Sequence, residues 1–264
     1  YNWFLDIKMD YLALILPLTN YGTMGFAFNY LHMGEMEVTT TKDPEGTGEK
    51  FNASSYIGQF SYGVNLTDRF SLGLSVKYIR EIIWNSHADG VAIDIGTLFR
   101  TKVEGLNIGM SISNYGTRMQ FDGIDSYQPI DISEYEAGNY GDVAGQFRTS
   151  QWELPLIFRI GVALKPIANN FMDVKVGIDA LHPNNNSESI NTGISIDNKI
   201  PGFGVLSFRG GMKAIFMDSP QYGATGGFGL KMNYLGNRSI QIDYAFKDIG
   251  ILGNMHAYTI GLSF

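Results

Sequence analysis

Four histidines, His32, His87, His182 and His256, are the first residues to weigh for chemistry, because imidazole serves both as a metal ligand and as a general base. None belongs to a His-x-x-x-His pair and the chain has no Cys, so the sequence offers no zinc constellation. A lipase or deacylase would need a nucleophilic Ser with a His and a carboxylate or amide behind it. His256 is the best placed for that base, but no Gly-x-Ser-x-Gly elbow accompanies it. Asp122 with Asp125, and Asp173 with Asp179, lack the spacing of a calcium loop. Asp43-Pro44-Glu45-Gly46-Thr47-Gly48 reads as a turn-rich loop without the Lys-Ser/Thr ending that phosphate binding requires. These readings predict a protein that is not an enzyme and that carries no metal and no cofactor.

A second set of charges is more regularly placed. Lys77, Glu81, Asp94, Arg159, Asp173, Lys175, Asp179, Arg209, Lys213, Lys231 and Asp243 each sit among small or polar residues that alternate with apolar ones. Six cations against five anions point either to ion pairing across neighbouring strands or to a polar conduit. The same Lys or Arg side chains turned toward lipid at the membrane midplane would cost about 2–4 kcal/mol each, so their face is well determined.

The elements that position them are strands. At the C-terminus Tyr258, Ile260, Leu262 and Phe264 alternate with Ala257, Thr259, Gly261 and Ser263, a period of two with large apolar groups on one face. Phe70, Leu72, Leu74, Val76 and Tyr78 alternate with Ser71, Gly73, Ser75 and Lys77; Leu106, Ile108, Met110 and Ile112 alternate with Asn107, Gly109 and Ser111. Similar patterns over 10–17, 21–33, 54–66, 91–99, 156–163, 173–179, 189–197, 203–215, 222–234 and 240–246 bring the count to about thirteen strands. Segments of about ten residues exceed the usual globular strand of ~5–6. Apolar-out, small-or-polar-in alternation suits lipid outside and a polar lumen inside. The predicted fold is all-β, a transmembrane antiparallel up-and-down β-barrel occupying residues 1–264 as a single domain in the bacterial outer membrane, with outer-membrane lipid as its immediate partner.

Composition agrees. Charged residues make up 17% of the chain, below the ~25% of ordinary soluble domains. No run of about 18 apolar residues exists, so helical spans are excluded. A net charge of −7 gives no reason to expect nucleic acid as a partner. Without Cys there is no disulfide framework.

The connections fall into two classes. Counting back from the last strand, the turns at 19–20, 67–69, 102–104, 166–170, 198–201 and 236–238 share one end and are short. The outer set comprises Trp84–Asp89, 182–187, 218–220 and two long segments, 37–52 and 117–150. Short turns mark the periplasmic end. Thirteen strands is odd where single-chain bacterial barrels are even, and the chain opens within strand-like sequence; the expectation is a fourteenth, N-terminal strand beyond this sequence. The 117–150 loop carries Met119, Phe121, Tyr127, Tyr135 and Tyr140 among acids, and Trp84 lies in a neighbouring outer turn. Such aromatic groups suit a partner-binding surface or a lid over the barrel's own mouth.

The stretches Leu66-Thr67-Asp68-Arg69-Phe70-Ser71-Leu72-Gly73 and Val76-Lys77-Tyr78-Ile79-Arg80-Glu81 resemble the PorV/PorQ family of outer-membrane proteins. Further matches, in the family's order, are Asp94-Ile95-Gly96-Thr97-Leu98-Phe99, Ser113-Asn114-Tyr115-Gly116, Asp179-Ala180-Leu181-His182-Pro183-Asn184 and Asp243-Tyr244-Ala245-Phe246. The resemblance implies a FadL-like barrel of fourteen strands that scaffolds or shuttles secreted cargo in type IX secretion. Its partners would be other secretion-system outer-membrane proteins and the cargo itself. The rival expectation is a transporter of small hydrophobic compounds, as in other FadL-like barrels.

Overall fold

The computed structural model describes residues 7–19, 21–130, 143–217, 223–234, 238–250 and 253–263. Tyr135, Tyr140 and Phe264 lie outside them. In chain order the elements are β1 (Lys8–Pro17), β2 (Thr23–His32), the short β3 (Met36–Glu37) and β4 (Lys50–Phe51), β5 (Ala53–Asn65), β6 (Phe70–Ile83), β7 (Ser86–Arg100) and β8 (Asn107–Gly116). The β8–β12 connection holds the short β9 (Asp122–Gly123), one 3-10 turn (Ile124–Ser126), β10 (Tyr127–Ile130) and β11 (Val143–Gln146). Then follow β12 (Ile157–Ala168), β13 (Met172–Pro183), β14 (Ser189–Ile200), β15 (Gly204–Ile215), β16 (Ala224–Tyr234), β17 (Arg238–Asp248) and β18 (Asn254–Ser263).

Thirteen long strands pair in the order β1-β2-β5-β6-β7-β8-β12-β13-β14-β15-β16-β17-β18, each antiparallel to its neighbour, and β9 adds a short fourteenth member beside β7. The wall is an up-and-down sheet of the outer-membrane barrel kind. Each expected strand is present, with ends shifted by a few residues. Among the described residues β1 and β18 do not pair with each other. Both run toward the same end, as an odd number of antiparallel strands requires.

Register confirms the two faces. Phe26, Phe60, Val76, Ile93 and Ile95 lie on one face of β2, β5, β6 and β7, and Met110, Val162, Ile178, Thr192, Met212 and Ala224 continue it across the later strands. This outer face is broadly exposed: Val76, Ile95, Ile178, Phe208 and Phe228 are between 43% and 51% accessible. A continuous apolar belt of that extent is stable only against lipid. Aromatic pairs bridge adjacent strands on it, with ring centroids 5.1 Å apart for Phe26–Phe60 and 5.3 Å for Phe228–Tyr244.

Three register shifts reset the alternation. Between Ile93 and Ile95, between Leu164 and Ile167, and at Ile190/Thr192, one strand contributes an extra residue. Simple counting of odd and even positions would turn Tyr115, Ile167 and Ile215 into the lumen. The bulges return all three to the lipid face, opposite Ile93, Val174 and Ile190.

The short turns are closed by side chains. Thr67 Oγ1 accepts the Phe70 N–H at 3.0 Å, and Asn169 Oδ1 accepts those of Phe171 and Met172 at 2.9 and 2.7 Å. At the opposite end the β6–β7 connection is tighter than the six residues expected for Trp84–Asp89. β6 runs to Ile83 and β7 begins at Ser86, leaving only Trp84-Asn85 as the turn. His87 and Asp89 continue the ladder opposite Ile82 and Arg80, and Tyr78 donates its hydroxyl to Asp89 at 2.5 Å.

Candidate functional site

In this register Lys77, Asp94, Arg159, Lys175, Asp179, Arg209, Lys231 and Asp243 lie on the face opposite the apolar belt. Lys77 Nζ lies 2.7 Å from Asp94 on the neighbouring strand, with the two side chains 13% and 21% accessible. Lys175 meets Asp197 at 2.9 Å, and Asp173 is clamped between Lys165 at 2.9 Å and Lys199 at 2.8 Å. That clamp ties β12, β13 and β14 together at the end with the short turns. Arg209 reaches Asp243 at 2.8 Å although β16 lies between their strands. Gly229 of β16 makes this possible, because a Cβ there would overlap the Asp243 carboxylate. Glu81, Arg159, Asp179 and Lys231 have no ion-pair partner among the described residues. Lys213 lies at the β15 bulge, beside Ala214, whose N–H donates to Asn191 Oδ1 at 2.9 Å.

Sequence reasoning missed Lys165, Asp197 and Lys199 as partners. The signal was present: each falls on the lumenal parity of its strand, Asp197 at the end of its alternating segment and Lys165 and Lys199 two residues past theirs.

Across the lumen the glycines fall into rows. Gly63, Gly73 and Gly96 are direct cross-strand partners on β5, β6 and β7; Gly109 faces Gly161; Gly177, Gly193 and Gly211 line up on β13, β14 and β15. At Gly73, Gly96, Gly109 and Gly177 an added Cβ would meet nothing nearer than 3.7–3.8 Å. The sheet therefore does not demand glycine at those four positions; the missing side chains leave space. The space is a cavity of about 1040 Å³, lined by these rows together with Arg100, Arg159, Lys175, Asp179 and Arg209.

The outer end is filled. After Ile112 the β8 bulge places Asn114 at φ 63°, where its N–H donates to Asp94 Oδ1 at 2.8 Å. Lys77 Nζ donates to Asn114 Oδ1 at 2.7 Å and Asn114 Nδ2 donates to the Pro155 carbonyl at 3.0 Å. Gly116 then passes so close to Val91 that a Cβ would overlap its carbonyl. Both features steer the chain inward. Met119 becomes fully buried against Ile79, Ala88 and Ala92 of the lumenal face and Leu154, with Ile57, Phe121 and Trp152 packed around them. Met119 and Trp152 exchange both backbone hydrogen bonds, at 2.9 and 3.0 Å. On the other side of this two-stranded tongue, Arg118 pairs with Glu153 at 2.8 Å and Gln151 donates to Gln120 at 3.1 Å. Trp152 and Leu154 had no sequence signal, because they lie outside any alternating segment.

Among the residues expected to meet a partner, Met119 and Phe121 point into the mouth. Trp84 and Tyr127 remain at the outer end, 38% and 51% accessible. Trp84 lies 6.3 Å from Phe51 between ring centroids. With Ile83, Phe121, Met36 and Val38 these rings line a cleft of about 550 Å³, whose polar members include Glu37 and Asp125. Above β13 the loop residue Glu188 is paired with His182 at 3.0 Å; its own backbone N–H first, and then His182, hold the carboxyl below the usual glutamate range. Among the described residues no group of three or more His, Asp or Glu is arranged to hold a metal ion.

No family model matches the sequence, and no curated protein does. Solved structures do. The toluene transporter TodX of Pseudomonas putida superposes with a TM-score of 0.55 at 10% identity, covering 97% of this chain and 85% of that one. A second TodX crystal structure gives 0.56 at 10% identity, over 89% and 75% of the two chains. A TodX deltaS2S3 mutant, described as a monoaromatic hydrocarbon channel, gives 0.56 at 11% identity over 97% and 82%. None of the three is a PorV or PorQ protein. At this identity the likeness speaks to fold, and together with the exposed apolar belt it fixes the architecture: the chain is an antiparallel up-and-down β-barrel of the bacterial outer membrane.

Proposed function

We propose that this barrel passes small, largely apolar compounds across the outer membrane. One observation carries the reading. An apolar cluster around Met119 occupies the mouth between the aromatic cleft at the outer rim and the glycine-lined cavity in the lumen. Burial of apolar area drives such a compound out of water into the cleft. The fold likeness to TodX, itself described as a toluene transporter, supports the same reading. The lumen accepts no covalent chemistry in this proposal; Lys77, Asp94, Asp173, Lys175, Arg209 and Asp243 are neutralised in pairs.

Cells whose outer membrane carries the chain should accumulate labelled toluene faster than cells with an empty membrane, and toluene should quench Trp84 and Trp152 emission in the purified barrel. Equal accumulation and unquenched emission together sink the proposal.

The secretion reading, a barrel of the PorV/PorQ type that scaffolds cargo, has its own support in the exposed Trp84 and Tyr127 and in Phe147, 66% accessible in the same outer segment. Co-purification of a large translocon or of cargo bearing a C-terminal signal domain would favour it over transport.

A further inference from the structure

We infer that the rim cleft takes an organic cation: its rings hold the apolar body of an ammonium compound, and the carboxylates around it hold the charge. This rests on the transport reading and narrows it, from apolar compounds in general to those with a positive end.

The rings of the cleft supply one half of that match. Phe51 and Trp84 lie 6.3 Å apart between centroids, and Phe121 is the third ring of the lining. Aromatic faces attract an alkylammonium through the ring quadrupole, an attraction that a neutral hydrocarbon lacks. Among the described residues no Lys, Arg or His lines the cleft.

The acids around it are left without counter-ions. Asp125 accepts from the Asn85 side chain at 3.0 Å and from its backbone N–H at 3.3 Å, both neutral donors. Lys50 stands opposite Glu37 on the β3–β4 ladder, yet its ammonium goes to Glu35 at 3.4 Å. Glu81 is the third acid. It lies on the same face of β6 as Ile83, a lining residue, two positions deeper and so about 6.6 Å along the strand. Its cross-strand neighbours are Ser55 and the buried Ala88. Its carboxylate has no hydrogen-bond or ion-pair partner among the described residues, and Lys77 below it is committed to Asp94 and Asn114. A partly buried carboxylate among apolar neighbours is unfavourable until a positive group meets it.

The approach to the cleft carries the same sign. Segments 37–52 and 117–150, which supply most of the lining, hold ten acidic residues and four basic ones. Their net of −6 is nearly all of the chain's −7. A field concentrated at one rim draws cations toward it and repels anions.

Phenyltrimethylammonium and tert-butylbenzene share a shape and differ by one charge, so the pair isolates the ionic part. Each is titrated into the full barrel in detergent, with free ligand set by equilibrium dialysis and binding read from Trp emission. At low salt the ammonium should bind about tenfold more tightly than its carbon analogue. Raising NaCl from about 20 to about 300 mM should weaken the ammonium alone. Glu81→Gln and Asp125→Asn together, with folding checked by heat-shifted gel mobility, should abolish the preference while tert-butylbenzene binds as before. Trp84→Phe should remove most of the emission change, which locates the ligand in the cleft. Equal affinity for the two compounds in the native barrel overturns the inference, and so does a preference that survives the double variant. Cellular uptake separates this outcome from failure of transport. Toluene accumulation with no preference for the ammonium keeps transport and removes the cation site; preference for the ammonium with neither compound accumulated keeps the site and removes transport.

Discussion

On the β5–β6–β7 side of the lumen, the inward positions above Lys77 are Ile57, Ile79, Ala88 and Ala92, and a tongue of the chain covers them. On the β13–β17 side the inward positions are Lys175, Asp197, Arg209 and Asp243; Lys175 and Arg209 line the cavity, which no tongue covers there and which reaches across to Gly63, Gly73 and Gly96. Both regions obey one alternation and one register. What differs is how the inward groups are satisfied. Apolar groups in a wet lumen gain by being covered, so the first region acquires a lid and the molecule's main buried cluster. Charges that pair along the wall leave nothing to cover, so the second stays open. Hydropathy on the inner face thus decides where a barrel of this kind closes.

That contrast can be pressed by mutation. Asp94→Ala should have the largest effect, because it leaves Lys77 unpaired in a poorly exposed site and frees the Asn114 N–H. Urea unfolding in lipid vesicles should show a loss of about 3 kcal/mol. Met119→Ala removes a fully buried side chain and should cost about 2–3 kcal/mol in the same assay. A wall held as the mouth is, by packing, would invert this order.

On the open side, Gly229→Ala thrusts a Cβ into the Asp243 carboxylate and separates it from Arg209, at about 1–2 kcal/mol. Gly73→Ala, whose Cβ meets only ordinary contact, should stay within about 0.5 kcal/mol of the native barrel while reducing ion conductance in planar bilayers. Equal stability losses at the two glycines would dissolve the distinction between glycines that seat a bridge and glycines that leave space.

The smallest effect concerns Glu188. Its folded pKa is depressed, so its favourable contribution is present above the ordinary glutamate range and is lost as pH falls through the folded value. Carbon-detected NMR titration should place Glu188 below a free glutamate. His182→Ala should leave most of the shift, because the backbone hydrogen bond is its larger cause.

Much of this was legible in the sequence. Period-two alternation located each wall strand, because lipid on one side and water on the other leave no other placement for residues such as Val76 and Lys77. The short turns and long loops separated the two ends of the wall. Three things were not legible. Bulges at Asn114, at Leu164/Ile167 and at Ala214 change which face a residue takes, and nothing in the local composition announces them. The burial of Met119 depends on Trp152, more than thirty residues away, through a single bridge outside both alternating stretches. Glycines were visible as a count, but their rows exist only once register joins Gly63, Gly73 and Gly96.

The row Gly63, Gly73 and Gly96 separates bore from stability. Where a hydrogen atom stands at each lumenal position and the backbone has room for a methyl group, the calibre of the barrel can be changed residue by residue while the strands keep their pairing. A lineage of such barrels could retune which molecules fit by drifting from Gly to Ala to Ser along one row, with folding left almost unaware of the change.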